Sequence, residues 1–185
     1  MMFQPDYPIT TERLVLRPFG PGDRDDVLAY RTLLDVSRYV PFAPLEPEKA
    51  DDWLAESAEK TVLKQEDDFL RLAIEVAGSV VGDAVLFWRS EEHRTGEIGY
   101  ILNPAHNGHG YATEAARALL RLGFEDFGLH RIIGRIDARN DASARVLERL
   151  GMRREAHFVQ NEIMKGEWTD EVVYAMLSRE WAART

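Results

Sequence analysis

Cysteine is missing from all 185 residues, which excludes disulfides, thiolate metal sites, iron–sulfur clusters and a cysteine nucleophile. No apolar run approaches the roughly 20 residues that a membrane span requires, so no membrane partner is expected. Met1 to Glu12 lacks both a basic start and an apolar stretch; no secretory signal is expected there, and the protein is expected to be cytoplasmic. Positive charge is also short, since 23 Lys and Arg against 32 Asp and Glu leave a formal net charge of −9. That deficit argues against nucleic-acid binding, which neutralised phosphates drive. Repeats, low-complexity tracts and dividing linkers are missing too, so residues 1–185 are expected to form a single domain. A chain of this length buries roughly 70% of its unfolded surface, enough for a core without staples.

The charge that is present is uneven. Acids crowd Glu46 to Asp68, with only Lys49, Lys60 and Lys64 against them. Arginines dominate His130 to Arg154. Either an anion binds at one region and a cation at the other, or both are solvated helix faces.

Leu14, Leu16 and Phe19 predict a short strand, ended by Pro18 and the Gly20-Pro21-Gly22 cluster. A first helix is expected over Asp23 to Val36, with Val27, Leu28, Arg31 and Leu34 inward. A second starts at Pro47 and runs to about Lys64, with Trp53, Leu54 and Ala58 inward. Phe69 to Val76 and Val80 to Trp88 flank Ala77-Gly78-Ser79 as a hairpin, and Gly96 to Leu102 is a third strand ending at Asn103-Pro104. Apolar residues from Ala112 to Phe127 fall at helical spacing, closed by Gly128. Ile132, Ile133 and Ile136 predict a buried strand, and Asn140 caps a helix through Leu150 that Gly151 ends. Phe158 to Met164 and Val172 to Leu177 form a last antiparallel pair around Lys165-Gly166. The order predicts a mixed α/β fold with parallel and antiparallel pairing.

The strongest chemical signal is the run from Asn103 to Ala115, where a strand ends, a glycine-containing loop follows and a long helix begins. Glycines let backbone approach a ligand closely, and free N–H groups at a helix start point at an anion. The alternative is that Gly108 and Gly110 only make a turn. A P-loop fails because Tyr111 and Ala112 follow Gly110, and a dinucleotide fingerprint fails because Thr113 stands at its third glycine. What remains is Gln/Arg-x-x-Gly-x-Gly/Ala, matched by Gly110 and Ala112 with Asn107 at the first position. This resembles the acetyl-CoA loop of GCN5-related N-acetyltransferases, the GNAT family.

The resemblance covers about residues 10–181. Glu97 to Pro104 resembles the family's central strand, and Leu129 to Ile132 with Asp137 to Met152 resembles the next strand and helix. The start, Thr11 to Arg17, and the end, Gly166 to Tyr174 and then Glu180-Trp181, resemble the RimJ/RimL-like branch of ribosomal-protein N-terminal acetyltransferases. The resemblance implies a mixed, mostly antiparallel sheet with a central splayed parallel strand pair, flanked by helices. It implies acetyl-CoA as acetyl donor, with the backbone of Ile101 and Leu102 bonding the pantetheine. The pyrophosphate would be held by N–H groups from Asn107, Gly108, His109, Gly110, Tyr111, Ala112 and Thr113, and the pantetheine arm by the Asn140 side chain. Arg145 and Arg149 would then lie near the cofactor's negative charges. Two positions depart from the pattern: Asn107 replaces Gln or Arg, and Leu147 stands where many members place the tyrosine that protonates the leaving thiolate.

Ser143 is the polar alternative to that tyrosine, as acid, as a cofactor contact or simply as a residue of the helix's first turn. Glu97 is the candidate base, with a structural carboxylate or an ammonium anchor as its alternatives. At pH 7.5 roughly a third of α-amines are already neutral, against about one lysine amine in a thousand. That gap is worth about 3 kcal/mol, so weak acid and base candidates suit an α-amine. The expected function is direct acetyl transfer to a peptide α-amine. The alternatives are a small-molecule amine acetyltransferase (polyamine, aminoglycoside or amino-acid-like acceptor) and a non-catalytic acyl-CoA-binding module. No metal is expected, because His93, His106 and His109 lack an accompanying carboxylate cluster. Trp53, Trp88 and Trp168 are either acceptor-pocket walls or core. Monomer and homodimer both remain open.

Overall fold

The computed structural model describes residues 2–184. Eight strands form one sheet: β1 Ile9–Thr10, β2 Val15–Arg17, β3 Phe69–Val76, β4 Ser79–Ser90, β5 Thr95–Leu102, β6 Arg131–Asp137, β7 Arg153–Met164 and β8 Glu167–Leu177. Their spatial order is β1-β2-β3-β4-β5-β6-β8-β7. Tight hairpins join β3 to β4 and β7 to β8, through Ala77-Gly78 and Lys165-Gly166. All four of those residues have positive φ, the geometry that matches strand twist in a two-residue turn.

Every neighbouring pair is antiparallel except β5 and β6. Parallel strands need a long crossover, here supplied by helix α4, Tyr111–Arg121. The parallel pairing covers only Thr95↔Arg131, Gly96↔Ile132 and Glu97↔Ile133. Beyond it β5 stays with β4 as far as Leu102↔Gly82, and β6 stays with β8 as far as Asp137↔Glu171. The sheet is therefore parted at its centre, with the backbone of 98–102 unpaired on one side.

Helices α1 Arg24–Arg31, α2 Leu34–Ser37 and α3 Ala50–Ala58 cover one face, while α4 and α5 Asp141–Arg149 cover the other. Side chains alternate along a strand. Accordingly Ile98, Tyr100 and Leu102 join the large cluster around Ala115, Leu119 and Leu147, and Ile101 joins the smaller one around Val27, Tyr30 and Leu54. A short helix α6, Ser178–Ala182, buries Trp181 against Phe124.

Three helix expectations need correction. The first helix is broken: α1 stops at Arg31, Thr32 folds its hydroxyl back onto the Leu28 carbonyl (2.7 Å), and Leu33 is extended. That break resets the helical phase, so Leu34 is 78% exposed rather than inward, and Leu28 is half-buried while Tyr30 is fully buried. The second helix ends at Ala58, well short of Lys64, because the following residues are drawn into extended contacts. The Lys60 carbonyl accepts from Arg71 N (2.8 Å), and Leu63 bridges to Phe3. The third α-helix begins at Tyr111 and ends at Arg121, and the remainder widens into a π-helical turn, Leu122–Asp126, before Gly128 at φ +77°. In β6, Ile132 is fully buried but Ile133 and Ile136 are only half-buried.

Candidate active site

A cleft of about 700 Å³ opens where β5 and β6 part. It is lined by Ile101, Leu102, Asn107, Gly108, Gly110, Tyr111, Ala112, Thr113, Asn140 and Ser143. Thus the fold brings every residue proposed for cofactor binding to one place except His109. That imidazole turns away, stacking on Tyr111 (5.4 Å between centroids) with Nδ1 3.2 Å from the His106 carbonyl.

Gly108 and Gly110 have φ of +83° and +82°, a region that disfavours a Cβ. The resulting loop leaves the N–H groups of residues 108–113 without an acceptor among the described residues. Asn107 is different, since its N–H already donates to the Pro104 carbonyl (3.1 Å); the free run begins at Gly108. Free N–H groups concentrated at the start of α4 attract an anion.

The loop is held from outside. Glu114 in the first turn of α4 accepts from Thr11 Oγ1 (2.6 Å), Arg13 N (2.8 Å) and Arg13 Nε (2.8 Å). Arg13 Nη1 also donates to the His109 carbonyl (2.8 Å), and its guanidinium lies over Tyr111. Desolvation of the Glu114 carboxyl is outweighed by these bonds, and its pKa is lowered.

On α5, Asn140 Oδ1 caps the helix by accepting from Ser143 N (3.1 Å), which leaves the amide NH₂ toward the cleft. Leu147 is core, lying under Gly134 so closely that a Cβ on that glycine would stand 2.9 Å from it. Tyr100 was not singled out in the sequence. Its phenol reaches the cleft from β5 and donates to the Ser143 carbonyl (3.3 Å). Burial pushes its pKa up, against a lowering pull from the Ser143 side chain, so the phenol stays protonated and a donor. The available signal was its place between Ile98 and Leu102, where a buried tyrosine's polar tip must find a partner. Asp35, Val36, Tyr39 and Val40 also line the cleft; the break after α1 that brings them there had no clear mark in the sequence.

Arg145 and Arg149 line the cleft and form no ion pair among the described residues. Arg149, Gly110 and Thr113 are shared with a second groove of about 720 Å³ running along α4 past Arg13, Arg117, Arg121 and Trp181.

Glu97 does not line the cleft. Its carboxylate accepts from Arg89 Nε (2.9 Å) and Arg135 Nε (3.4 Å). Arg89 falls at a β4 bulge between Trp88 and Ser90, a device that re-aims a side chain. Arg135 also lies 3.5 Å from Glu171. Burial, opposed by Arg135 and reinforced by neighbouring Glu162, holds the Glu171 pKa above its ordinary value. The tryptophans separate: Trp88 is core against Phe127, Trp168 is 60% exposed, and Trp53 packs on Phe19 between the guanidiniums of Arg31 and Arg71.

The sheet is parted at its one parallel pair, beside a helix start whose N–H groups are free among the described residues. The chain belongs to the acetyltransferase (GNAT) family, whose domain model matches residues 13–153. It is accordingly an acetyl-CoA-dependent N-acetyltransferase. It is 36% identical over 179 residues to the uncharacterized N-acetyltransferase YnaD of Bacillus subtilis (strain 168), covering 94% of this chain and 98% of that one. A GNAT-family acetyltransferase crystal structure from Bacillus anthracis superimposes with a TM-score of 0.82 at 34% identity, over 94% of this chain and 99% of that one. A spermidine N-acetyltransferase from Vibrio cholerae, solved with CoA and spermine, shares the fold at a TM-score of 0.77 and 21% identity, over 93% and 99% of the two chains.

Proposed function

We propose that the acceptor is a peptide α-amine and that acetyl transfer is direct, in a single RimJ/RimL-like domain. One observation carries this reading: among the described residues the only carboxylate lining the cleft is Asp35, in the α2 segment, while Glu97 and Asp83 are committed to arginines. With Asp35 as the one cleft-lining carboxylate left to act as a base, the site suits an amine of which roughly a third is already neutral at pH 7.5.

The residues fit acetyl-CoA on the structure's own terms, through the unpaired backbone of 98–102 and the unmet N–H groups of 108–113. Those N–H groups hold the pyrophosphate, His109 contributing backbone alone. Ile101 and Leu102 bond the pantetheine as an added strand, and the Asn140 amide donates to it. Arg145 and Arg149 face the phosphates.

Acetyl-CoA supplies an activated acyl group: the amine nitrogen bonds to the acyl carbon, the carbon–sulfur bond breaks, and one proton passes from nitrogen to sulfur. Ser143, backed by the Tyr100 phenol, donates toward the leaving sulfur in place of the tyrosine that Leu147 replaces. Glu97 is a positioning residue that holds Arg135 beside the parted strands.

Thermal unfolding with acetyl-CoA, and with NAD and ATP as controls, tests the cofactor half. Ligand at about a hundred times its dissociation constant adds roughly 2.7 kcal/mol, or about 5–10 °C at this length. Thiol release with free-amine peptides, lysine side chains and polyamines tests the acceptor, and no protein cysteine raises the background. Release with polyamines but not with peptides overturns the α-amine reading.

A further inference from the structure

The glycines inside the sheet are of two kinds. A Cβ at Gly82 would lie 2.2 Å from the Ile101 carbonyl oxygen, one at Gly96 2.6 Å from Leu129, and one at Gly134 2.9 Å from Leu147. Neighbours already fill the space at those three positions. At Gly99 an added Cβ meets nothing within 4 Å, and the backbone there is not left-handed. Neither packing nor conformation calls for glycine in the middle of β5, where it weakens a strand. Such a glycine marks a place that a ligand or another backbone approaches closely.

Its surroundings say what approaches. Gly99 shares a face with Glu97 and Ile101, opposite to α4 and α5. Ile101 is packed among the α1 and α3 residues, and Glu97 is held by Arg89 and Arg135. Val85 lies beside Gly99 on β4, with Arg71 beyond it on β3. On the other side β6 has just parted; the Glu97↔Ile133 register, extended by two residues, would set Arg135 across from Gly99. The position without a side chain therefore sits at the start of the splay. Along this face of β5, side chains stand at Glu97 and Ile101 and none at Gly99, so a thioester held at the free edge would be approachable there.

We propose that Gly99 determines acceptor specificity: the amine crosses its bare backbone to reach the thioester, so slender amines react faster than amines branched next to the nitrogen. This rests on the acceptor reading above.

The test uses Gly99→Ala and Gly99→Val, with two peptides differing only in N-terminal glycine or valine. Valine favours strands, so the fold is expected to hold, and the acetyl-CoA thermal shift checks that the cofactor site does too. Gly99→Val is expected to cut kcat/KM for the glycine peptide by about a hundredfold with an unchanged acetyl-CoA shift. Gly99→Ala is expected to have an intermediate effect that is larger for the valine peptide. Gly99→Val retaining a rate within about threefold of the unaltered protein overturns the proposal. Loss of the acetyl-CoA shift with the rate overturns it as well, by making Gly99 a cofactor contact. If the unaltered protein acetylates only polyamines, the α-amine reading fails by itself, and the same variants assayed with spermidine still decide the route. Absence of thiol release with every amine tested refutes both.

Discussion

Along β5, Ile98, Tyr100 and Leu102 turn toward α4 and α5, whereas Glu97, Gly99 and Ile101 turn toward α1 and α3. On the first side the ligand-facing groups are mostly backbone: the free edge of 98–102 and the N–H groups of 108–113. On the second they are side chains, and the carboxylates Asp83 and Glu97 are already paired. Asp83, essentially buried, accepts from Arg31 Nη2 (2.6 Å) and Tyr30 Oη (2.9 Å), and Glu97 is held by two arginines. Backbone recognition depends on spacing and glycines, so it leaves a local pattern in the chain. Side-chain recognition here draws on α1, β3, β4, β6 and β8, and leaves none.

The largest effect is expected on the side-chain face. Asp83→Ala strips the partner from Arg31, whose guanidinium is stacked on Trp53 and Phe42 and 6% exposed. Removing one member of such a buried pair costs about 3–5 kcal/mol, a fall in Tm on the order of 10 °C at this length. Thermal unfolding checks it. A fall of only a degree or two would mean that the charged cluster does not hold α1 to the sheet.

The next effect belongs to the backbone face. Gly110→Val places a branched side chain at φ +82°, with Arg13 Nη2 3.5 Å from its Cβ. Acetyl-CoA affinity is expected to fall at least about a hundredfold, since close approach is lost at the start of α4. Calorimetric titration measures this directly. If Asp83→Ala lowers Tm without touching acetyl-CoA affinity, the two faces are separable; a loss of affinity there would join them.

That division also explains what the sequence disclosed. The strands from Phe69 to Leu102, the Asn140 cap and the glycine loop were legible because each is set by residues within a few positions. The break after Arg31 was not, because Thr32 and Leu33 carry no proline or glycine, and tertiary packing of Tyr30 and Arg31 on Asp83 decides where the helix stops. The π-helical turn after Arg121 was hidden for a related reason: its apolar residues keep near-helical spacing, and one widened turn does not disturb the pattern enough to show. Glu97 was found as a carboxylate on the central strand, but its engagement depends on Arg89 and Arg135, distant in the chain or displaced by a bulge. Tyr100 carries no local mark of its role, because a tyrosine within an apolar strand has the same pattern whether its hydroxyl meets a core partner or a cleft.

Glu97→Gln sharpens the boundary between the faces with a smaller effect, about tenfold in kcat. If Glu97 only positions Arg135, the ratio of variant to unaltered rate stays flat from pH 6.5 to 9.5. A base would give a deficit that closes as pH rises and the amine deprotonates by itself. The pH–rate profile with one peptide acceptor distinguishes them, and a closing deficit would return Glu97 to the reacting atoms.

The smallest effect lies at the edge of the sheet, away from both faces. Hydrogen bonds from Arg131 and Arg153 hold the Glu155 carboxyl at about 2, against a raising contribution from burial. A carboxylate depressed in the folded state contributes stability above its unfolded value, near 4.5, and loses it as pH falls toward 2. Glu155→Gln is therefore expected to lower Tm by a few degrees at pH 7, and the two Tm curves converge between about pH 4.5 and pH 2. Acetyl-CoA affinity and the ratio of peptide rates should be the same in both proteins. A change in either would show that the β7 edge, through Arg131 at the foot of β6, sets how widely the central strands part, so that neither face is independent of it.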